Sequence, residues 1–205
     1  FQWSAGMAVS QKQKSILSLH EAARLLLGLK RILEISTKST AALGVSLSAF
    51  NLMYRTESGK EYPLESIFQS AKVFSGGGPY RDIRDKIALA AKQDLRLKES
   101  GRLLRFSSGG IDWPLEPRTI FYDWLYLKIL RVQPTFALQL ADYEGFTDIE
   151  FNPQKSINCQ AYSIALFVAL TKRNLLVDGV IPPKEEFIKL VEKFTIKNTS
   201  DGLLL

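Results

Sequence analysis

A predominantly helical, single α+β domain with a few short strands is what the sequence predicts, and three observations carry that prediction. Helical apolar spacing recurs along the chain, and the alternating stretches are short and unevenly placed. The regular βα alternation of a doubly wound parallel sheet is missing. Within the one domain, 1–42 reads as an N-terminal helical segment, 43–176 as the core that carries the chemistry, and 177–205 as a C-terminal helix and tail.

From Ser15 to Leu33, residues Ile16, Leu19, Ala23, Leu26, Leu27 and Leu29 keep helical spacing, with Gly28 as a break. Leu33–Thr37 alternates as a strand does. Val45 to Arg55, a turn over Glu57–Lys60, and Glu61–Tyr62 read as a hairpin or strand–loop. Pro63 then suits a helix start, because its φ is fixed and its missing N–H is not needed there. On that helix, taken through Phe74, Glu65, Gln69 and Lys72 recur at i, i+4 and i+7 as one polar stripe. Ile67, Phe68, Ala71 and Phe74 supply the neighbouring apolar arc. Ser75-Gly-Gly-Gly-Pro79 ends the helix and matches no nucleotide-binding fingerprint.

Tyr80–Leu97 reads as a charged amphipathic helix, and Ser107–Gly110 as a glycine-bearing loop. Arg118–Leu130 is an aromatic segment of helical period, and Phe146–Phe151 a short strand. Ile157–Leu170 is almost wholly apolar but only about four turns long, too short to cross a membrane, so it is expected to be the central core helix. A last helix follows Pro182-Pro183-Lys-Glu-Glu186.

Composition narrows the chemistry. With 205 residues, 46% of them hydrophobic, the chain has room for a core and a cleft. It starts at Phe1 with no signal-peptide pattern, which reads as a trimmed start. One cysteine, Cys159, leaves no internal disulfide and suits a reducing cytoplasm. With a single histidine, His20, no zinc site and no metal are expected. Cys159 is expected to be buried and inert, and His20 to lie on a helix surface. The net charge of +6 suits a polyanionic partner such as nucleic acid or a nucleotide diphosphate.

Taken in order, Leu47-Ser-Ala-Phe-Asn51, Tyr62-Pro-Leu-Glu65 with Phe68-Gln69 and Lys72, Ser100-Gly-Arg102, Asp112-Trp113 and a late acidic strand resemble the NADAR family over roughly 43–176. The Pro-x-Glu-x-x-Phe-Gln-x-x-Lys stretch is the most specific part. Phe1-Gln-Trp3, Ser10–Ser15 and Ser156–Ala161 resemble the branch that acts as antitoxin beside DarT-class toxins, which ADP-ribosylate guanine in DNA. The stretch after Val177 falls outside the resemblance. The wider family places Asp and Trp beyond its late acidic strand, whereas here Glu150 is followed by Lys155 and Asn158.

The resemblance implies a cytoplasmic hydrolase, without cofactor or membrane anchor, that removes ADP-ribose from the guanine amino group of DNA. Its partners would be ADP-ribosylated DNA, the product ADP-ribose and a DarT-class toxin. It makes Glu65 and Lys72 catalytic, and Ser48, Phe50, Asn51, Gln69, Arg102, Trp113, Asp148, Glu150 and Asn158 substrate-binding.

The residues themselves suit that chemistry. Breaking a ribose N-glycoside builds positive charge at the anomeric carbon and requires protonation of the leaving nitrogen. Glu65 is the carboxylate for the first task. Lys72 serves either as an ammonium or as a Schiff-base nucleophile, and Gln69 orients ribose hydroxyls. Trp113 either stacks an extruded guanine or fills the core with Tyr122 and Trp124. Arg102 either clamps phosphate or forms a surface ion pair. Two other readings stand beside the enzyme: a non-catalytic toxin- or nucleotide-binding module, and an N-glycosidase for a small riboside phosphate.

Overall fold

The structure is a computed structural model that describes residues 1–152, 158–176 and 180–194. In chain order its elements are α1 (Val9–Leu27), β1 (Ile32–Glu34), α2 (Ala42–Ser46), β2 (Met53–Arg55), β3 (Glu61–Pro63), α3 (Leu64–Ser70), β4 (Lys72–Phe74), a 3-10 turn over Arg81–Asp85, α4 (Ala88–Lys92), α5 (Arg96–Glu99), β5 (Leu103–Ser108), β6 (Ile111–Trp113), α6 (Ile120–Arg131), α7 (Pro134–Leu140), β7 (Gly145–Thr147), α8 (Gln160–Lys172) and α9 (Lys184–Phe194). Helix outweighs strand, so the fold is the α+β domain that the sequence predicts. The strands form small separate sheets: β1 with β7 in parallel, β2 with β3 antiparallel, and β4-β5-β6 antiparallel.

The core gathers around α6, where nine of twelve residues are buried, and α3, where all seven are. Burial all around α6 follows from neighbours on several sides: α3, α7, α8 and α9 all pack on it. α8 carries the longest apolar run and was expected at the centre. It is a core helix on one side only, with Tyr162 and Ala165 exposed, and Ile157 lies outside the described residues. The central place therefore belongs to α6, whose sequence reads as more amphipathic than its surroundings allow it to be.

The polar-stripe helix also differs from expectation. α3 stops at Ser70 because the chain beyond it is claimed by a hairpin: the Ala71 carbonyl accepts the Ser107 N–H at 2.7 Å, and Lys72 pairs across from Phe106. Lys72 is thus a strand residue, and only Glu65 and Gln69 share the helix. The expected helix over Tyr80–Leu97 is broken into the 3-10 turn, α4 and α5, with extended backbone at Lys86 and Ile87. The Lys86 carbonyl accepts the Ser66 hydroxyl at 2.8 Å, and the Asp94 carboxylate takes Lys86 and Arg96, so tertiary bonds replace helical ones there. The strand–loop expected from Val45 opens instead with the end of α2. The region around Ser107–Gly110 is the turn of the β5–β6 hairpin, whose strands alternation alone does not reveal. Among the described residues no helix is long and apolar enough to cross a membrane.

Candidate active site

α3 presents its first turn to a large cleft. Pro63 stands in extended conformation just before the helix, and the Glu65 N–H donates to the Ala49 carbonyl at 2.9 Å, tying the helix start to the loop that carries Ser48 and Phe50. The cleft holds about 940 Å³ and is lined by residues from both halves of the chain. Of the residues singled out in the sequence, Glu65, Gln69, Lys72, Ser48, Phe50, Asp148, Glu150 and Asn158 line it.

Glu65 and Gln69 are both buried, one helical turn apart, and the Gln69 Nε2 donates to Glu65 Oε1 at 2.8 Å. That bond fixes the amide's orientation and leaves Gln69 Oε1 buried without a partner among the described residues. An acceptor in this state favours a ligand that brings a hydroxyl. Lys72 reaches the same cleft from β4, its Nζ 5.1 Å from the Phe68 ring centroid, and makes no ion pair among the described residues. Burial holds its pKa below the ordinary lysine value; the Glu65 charge pulls it back up and Lys92 pushes it further down.

Another part of the lining comes from the segment that follows β7 and from the start of α8. Asp148 accepts the Gln160 backbone N–H at 3.3 Å and its Nε2 at 3.2 Å, while Gln160 Oε1 accepts the Ala49 N–H at 2.5 Å. Burial, and after it the charge of Glu34, raises the Asp148 carboxyl to about 6. Glu34 is 1% exposed and accepts from both residues flanking Asp148, the Thr147 hydroxyl at 2.5 Å and the Ile149 N–H at 2.8 Å. One carboxylate therefore clamps the segment that aims Asp148. Since Thr147 gives its proton to Glu34, it accepts from His20 Nε2 at 2.9 Å, which assigns the Nε2–H tautomer. His20 is accordingly buried rather than on a helix surface, and burial, then Arg24, lowers its pKa. Glu34→Ala is expected to lower unfolding free energy in urea by about 2–4 kcal/mol, because it strands two buried donors and leaves a cavity.

Glu150 sits at the exposed edge and accepts the Thr37 hydroxyl at 2.9 Å, with Lys38 Nζ donating to the same Thr37 oxygen at 3.0 Å. Ser48 is buried and donates to the Val45 carbonyl at 2.8 Å. Phe50 carries Lys92 Nζ 5.4 Å above its ring. Three expected site residues lie elsewhere. Asn51 is exposed and spends its amide on the Val45 carbonyl at 2.9 Å, finishing the α2 turn. Arg102 is exposed at the base of β5, away from the cleft lining. Trp113 is 1% exposed, packed between Phe121 and Trp124 at 5.6 and 4.7 Å, so it has no face to offer a base. The aromatic surface of the cleft comes instead from Phe50, Phe68, Phe106, Phe121, Tyr122 and Phe151.

The sequence reading missed Thr37, Lys38, Gln160, Arg118 and Thr119 as lining residues. Gln160 carried a local signal, since an amide opening a helix beside an acidic strand is placed to bridge them; the others had none. Thr119, at φ 68°, holds a conformation that β-branched residues avoid, and its hydroxyl donates to Asp123 Oδ2 at 2.6 Å. Asp123 also accepts the Ser163 hydroxyl at 2.6 Å. Burial raises it to about 6, against the pull of those two bonds. Cys159 is pushed up to about 11 by burial, which leaves it a thiol at neutral pH. No cluster able to hold a metal occurs among the described residues.

Asp123 and Asp148 make stability depend on pH. Both carboxyls bind a proton more tightly folded (about 6) than unfolded (3.8), so their contribution is complete below 3.8 and is lost as pH rises through 6. Each loss is on the order of 2–3 kcal/mol. Asp94, which Arg96 holds low, acts oppositely but only below 3.8, and His20, held below 6.5 by burial, opposes the two carboxyls between pH 5 and 7.5 as a single group against two. The urea midpoint is expected to be higher at pH 5 than at pH 7.5, and Asp123→Asn is expected to shrink that difference by about half.

An α+β domain whose cleft is lined by a carboxylate–amide pair, a half-buried lysine and a second carboxylate has the layout of a glycosidase-like hydrolase, the general character of NADAR proteins. Compared with known families, residues 1–201 match the DarT1-associated NADAR antitoxins, and the chain belongs to that family. Membership gives it a DarT-associated antitoxin role. The match reaches into both ends of the chain, beyond the 43–176 of the sequence resemblance and past Val177. No curated protein matches the chain.

Proposed function

We propose that the protein hydrolyses the N-glycosidic bond between ADP-ribose and the guanine amino group of DNA, in the cytoplasm, reversing the modification made by its DarT-class toxin. The observation that carries this reading is the buried Glu65–Gln69 pair lining one cleft together with Asp148. In the proposed reaction the anomeric carbon lies beside Glu65, whose charge stabilises the oxocarbenium-like centre. Gln69 Oε1 accepts a ribose hydroxyl. Asp148, near 6, is protonated in a useful fraction at neutral pH and gives its proton to the leaving amino nitrogen. Water adds to the anomeric carbon and returns a proton to Asp148, leaving guanine and free ADP-ribose. Lys38, Lys92 and Arg118 line the cleft as counter-charges for the diphosphate. At about 940 Å³ the cleft lies within the roughly 300–1,000 Å³ of small-molecule sites.

The direct test is incubation with ADP-ribosylated guanine DNA, followed by chromatography for free ADP-ribose and mass analysis of the restored base. Tight binding without release would make the protein a non-catalytic module. Release only from small riboside phosphates would remove DNA from the reading.

Salt separates the contributions of cleft and surface. Hydrolysis of modified DNA is expected to fall steeply in kcat/KM between 50 and 200 mM salt, while hydrolysis of an ADP-ribosylated guanosine changes far less, because phosphate contacts outside the cleft release counterions. Equal slopes for the two substrates would reduce the chain's basic excess to solvated surface charge.

A further inference from the structure

A second cavity, of about 270 Å³, shares no lining residue with the cleft. The same elements divide between the two: on α3 Ile67 faces this cavity and Phe68 the cleft, and on α6 Trp124, Leu125, Lys128 and Ile129 face it while Ile120–Tyr122 face the cleft. Its walls are aromatic, with Tyr54 and Tyr62 from the β2–β3 hairpin and Trp124 from α6. Its charge has one sign: Arg84 and Lys128 line it and no carboxylate does.

Both cations rest on two of those walls and occupy their faces: Tyr62 is buried and Trp124 is packed against Trp113, while Tyr54 is half-buried. The Arg84 guanidinium carbon lies 4.5 Å from the Tyr62 ring centroid, and Lys128 Nζ 4.6 Å from that of Trp124. Both side chains are exposed, and neither forms an ion pair among the described residues. Nearby surface cations behave differently: Lys60 is paired with Asp85, Arg96 with Asp82 and Asp94, and Arg105 with Asp112. An anionic ligand reaching Arg84 and Lys128 therefore displaces no carboxylate. The rim is completed by the Ser108 hydroxyl and the bare backbone of Gly109, where a Cβ would meet nothing within 4 Å.

The geometry points to a nucleotide-binding site in this cavity, holding an aromatic base against the half-buried Tyr54 ring and a phosphate on Arg84 and Lys128, the cations seated on Tyr62 and Trp124. An aromatic ring such as that of Tyr54 accepts any base by its π-face, and a guanidinium fork suits phosphate oxygens. The volume falls just below the roughly 300 Å³ where small-molecule sites begin, which fits one nucleotide unit. A free mononucleotide and one unit of a single strand present the same chemistry. For a protein that works on DNA, the strand places this cavity as a contact remote from the reacting base.

Trp124 supplies a local reporter, because its indole N–H donates to the Pro182 carbonyl at 3.0 Å. The full chain, labelled with ¹⁵N, is titrated with GMP, with inorganic phosphate and with a single-stranded DNA octamer, following the Trp124 indole resonance. GMP is expected to shift it saturably, with inorganic phosphate at least 10-fold weaker. The double variant Arg84→Gln, Lys128→Gln, altered only at exposed positions, is expected to weaken the GMP response at least 10-fold. A DNA octamer binding at least 10-fold more tightly than GMP assigns the site to a strand; equal or weaker binding assigns it to a free nucleotide. No shift with either, a response to phosphate equal to that of GMP, or an unchanged response in the double variant overturns the proposal. The reporter lies outside the cleft, so these outcomes are read whether or not the cleft turns over ADP-ribosylguanine.

Discussion

Glu65→Gln is expected to fold like the parent and to lose kcat by about 10³-fold on ADP-ribosylated guanine DNA, the scale seen when one preorganised electrostatic contact to a transition state is removed. The substitution keeps the shape and the oxygen that accepts Gln69 Nε2, so the buried pair survives in neutral form. What disappears is the charge, and only the transition state needs it, so KM should change little while kcat falls. Circular dichroism and urea unfolding establish that the variant is folded, and single-turnover release of ADP-ribose measures the loss. A folded variant with near-parental turnover would remove Glu65 from the reaction.

Lys72→Arg is expected to be nearly as damaging if the amine attacks an opened ribose. In that route the ring-opened aminal carbon exchanges guanine's amino group for the lysine nitrogen. Guanine then leaves with both its protons, water hydrolyses the lysine imine, and the ribose closes again. Two features of the site favour the amine: burial pulls its pKa down, and no carboxylate among the described residues pairs with it. Arginine keeps the charge and cannot form the imine. Borohydride added during turnover should trap a Lys72 adduct of ADP-ribose mass in the parent and none in the variant. An active Lys72→Arg protein without adduct would leave Lys72 an electrostatic role, with Glu65 and water carrying the hydrolysis.

The two residues show how far local reading goes. Glu65 and Gln69 were legible as neighbours because one helical turn brings i and i+4 together whatever surrounds them. Lys72 was legible as a residue type at a telling distance, but its placement on a helix was wrong, since the β5–β6 hairpin captures the chain after Ser70. That hairpin carries Trp113 against Phe121 and Trp124 of α6, which decides for core filling over base stacking, and the cleft takes its aromatics from Phe50, Phe68, Phe106, Phe121, Tyr122 and Phe151. Arg102 and Asn51 were offered by the resemblance, Arg102 also by the fit of its fork to phosphate, and neither is among the residues that line the cleft.

By itself the sequence determined the fold class, the helix ends marked by Gly28 and Pro183, the Glu65–Gln69 pair and the family resemblance. Each rests on spacing or on residue types that act within a few positions. Only the tertiary structure decided that α6 is the central helix, that Lys72 lies on a strand, and that Asp148 is clamped by Glu34, 115 residues from Ile149, and bridged to Ala49 through Gln160, 111 residues away. Periodicity reports which face of an element is apolar. It does not say which distant segment covers that face, and a buried carboxylate takes its proton affinity and its aim from those distant partners.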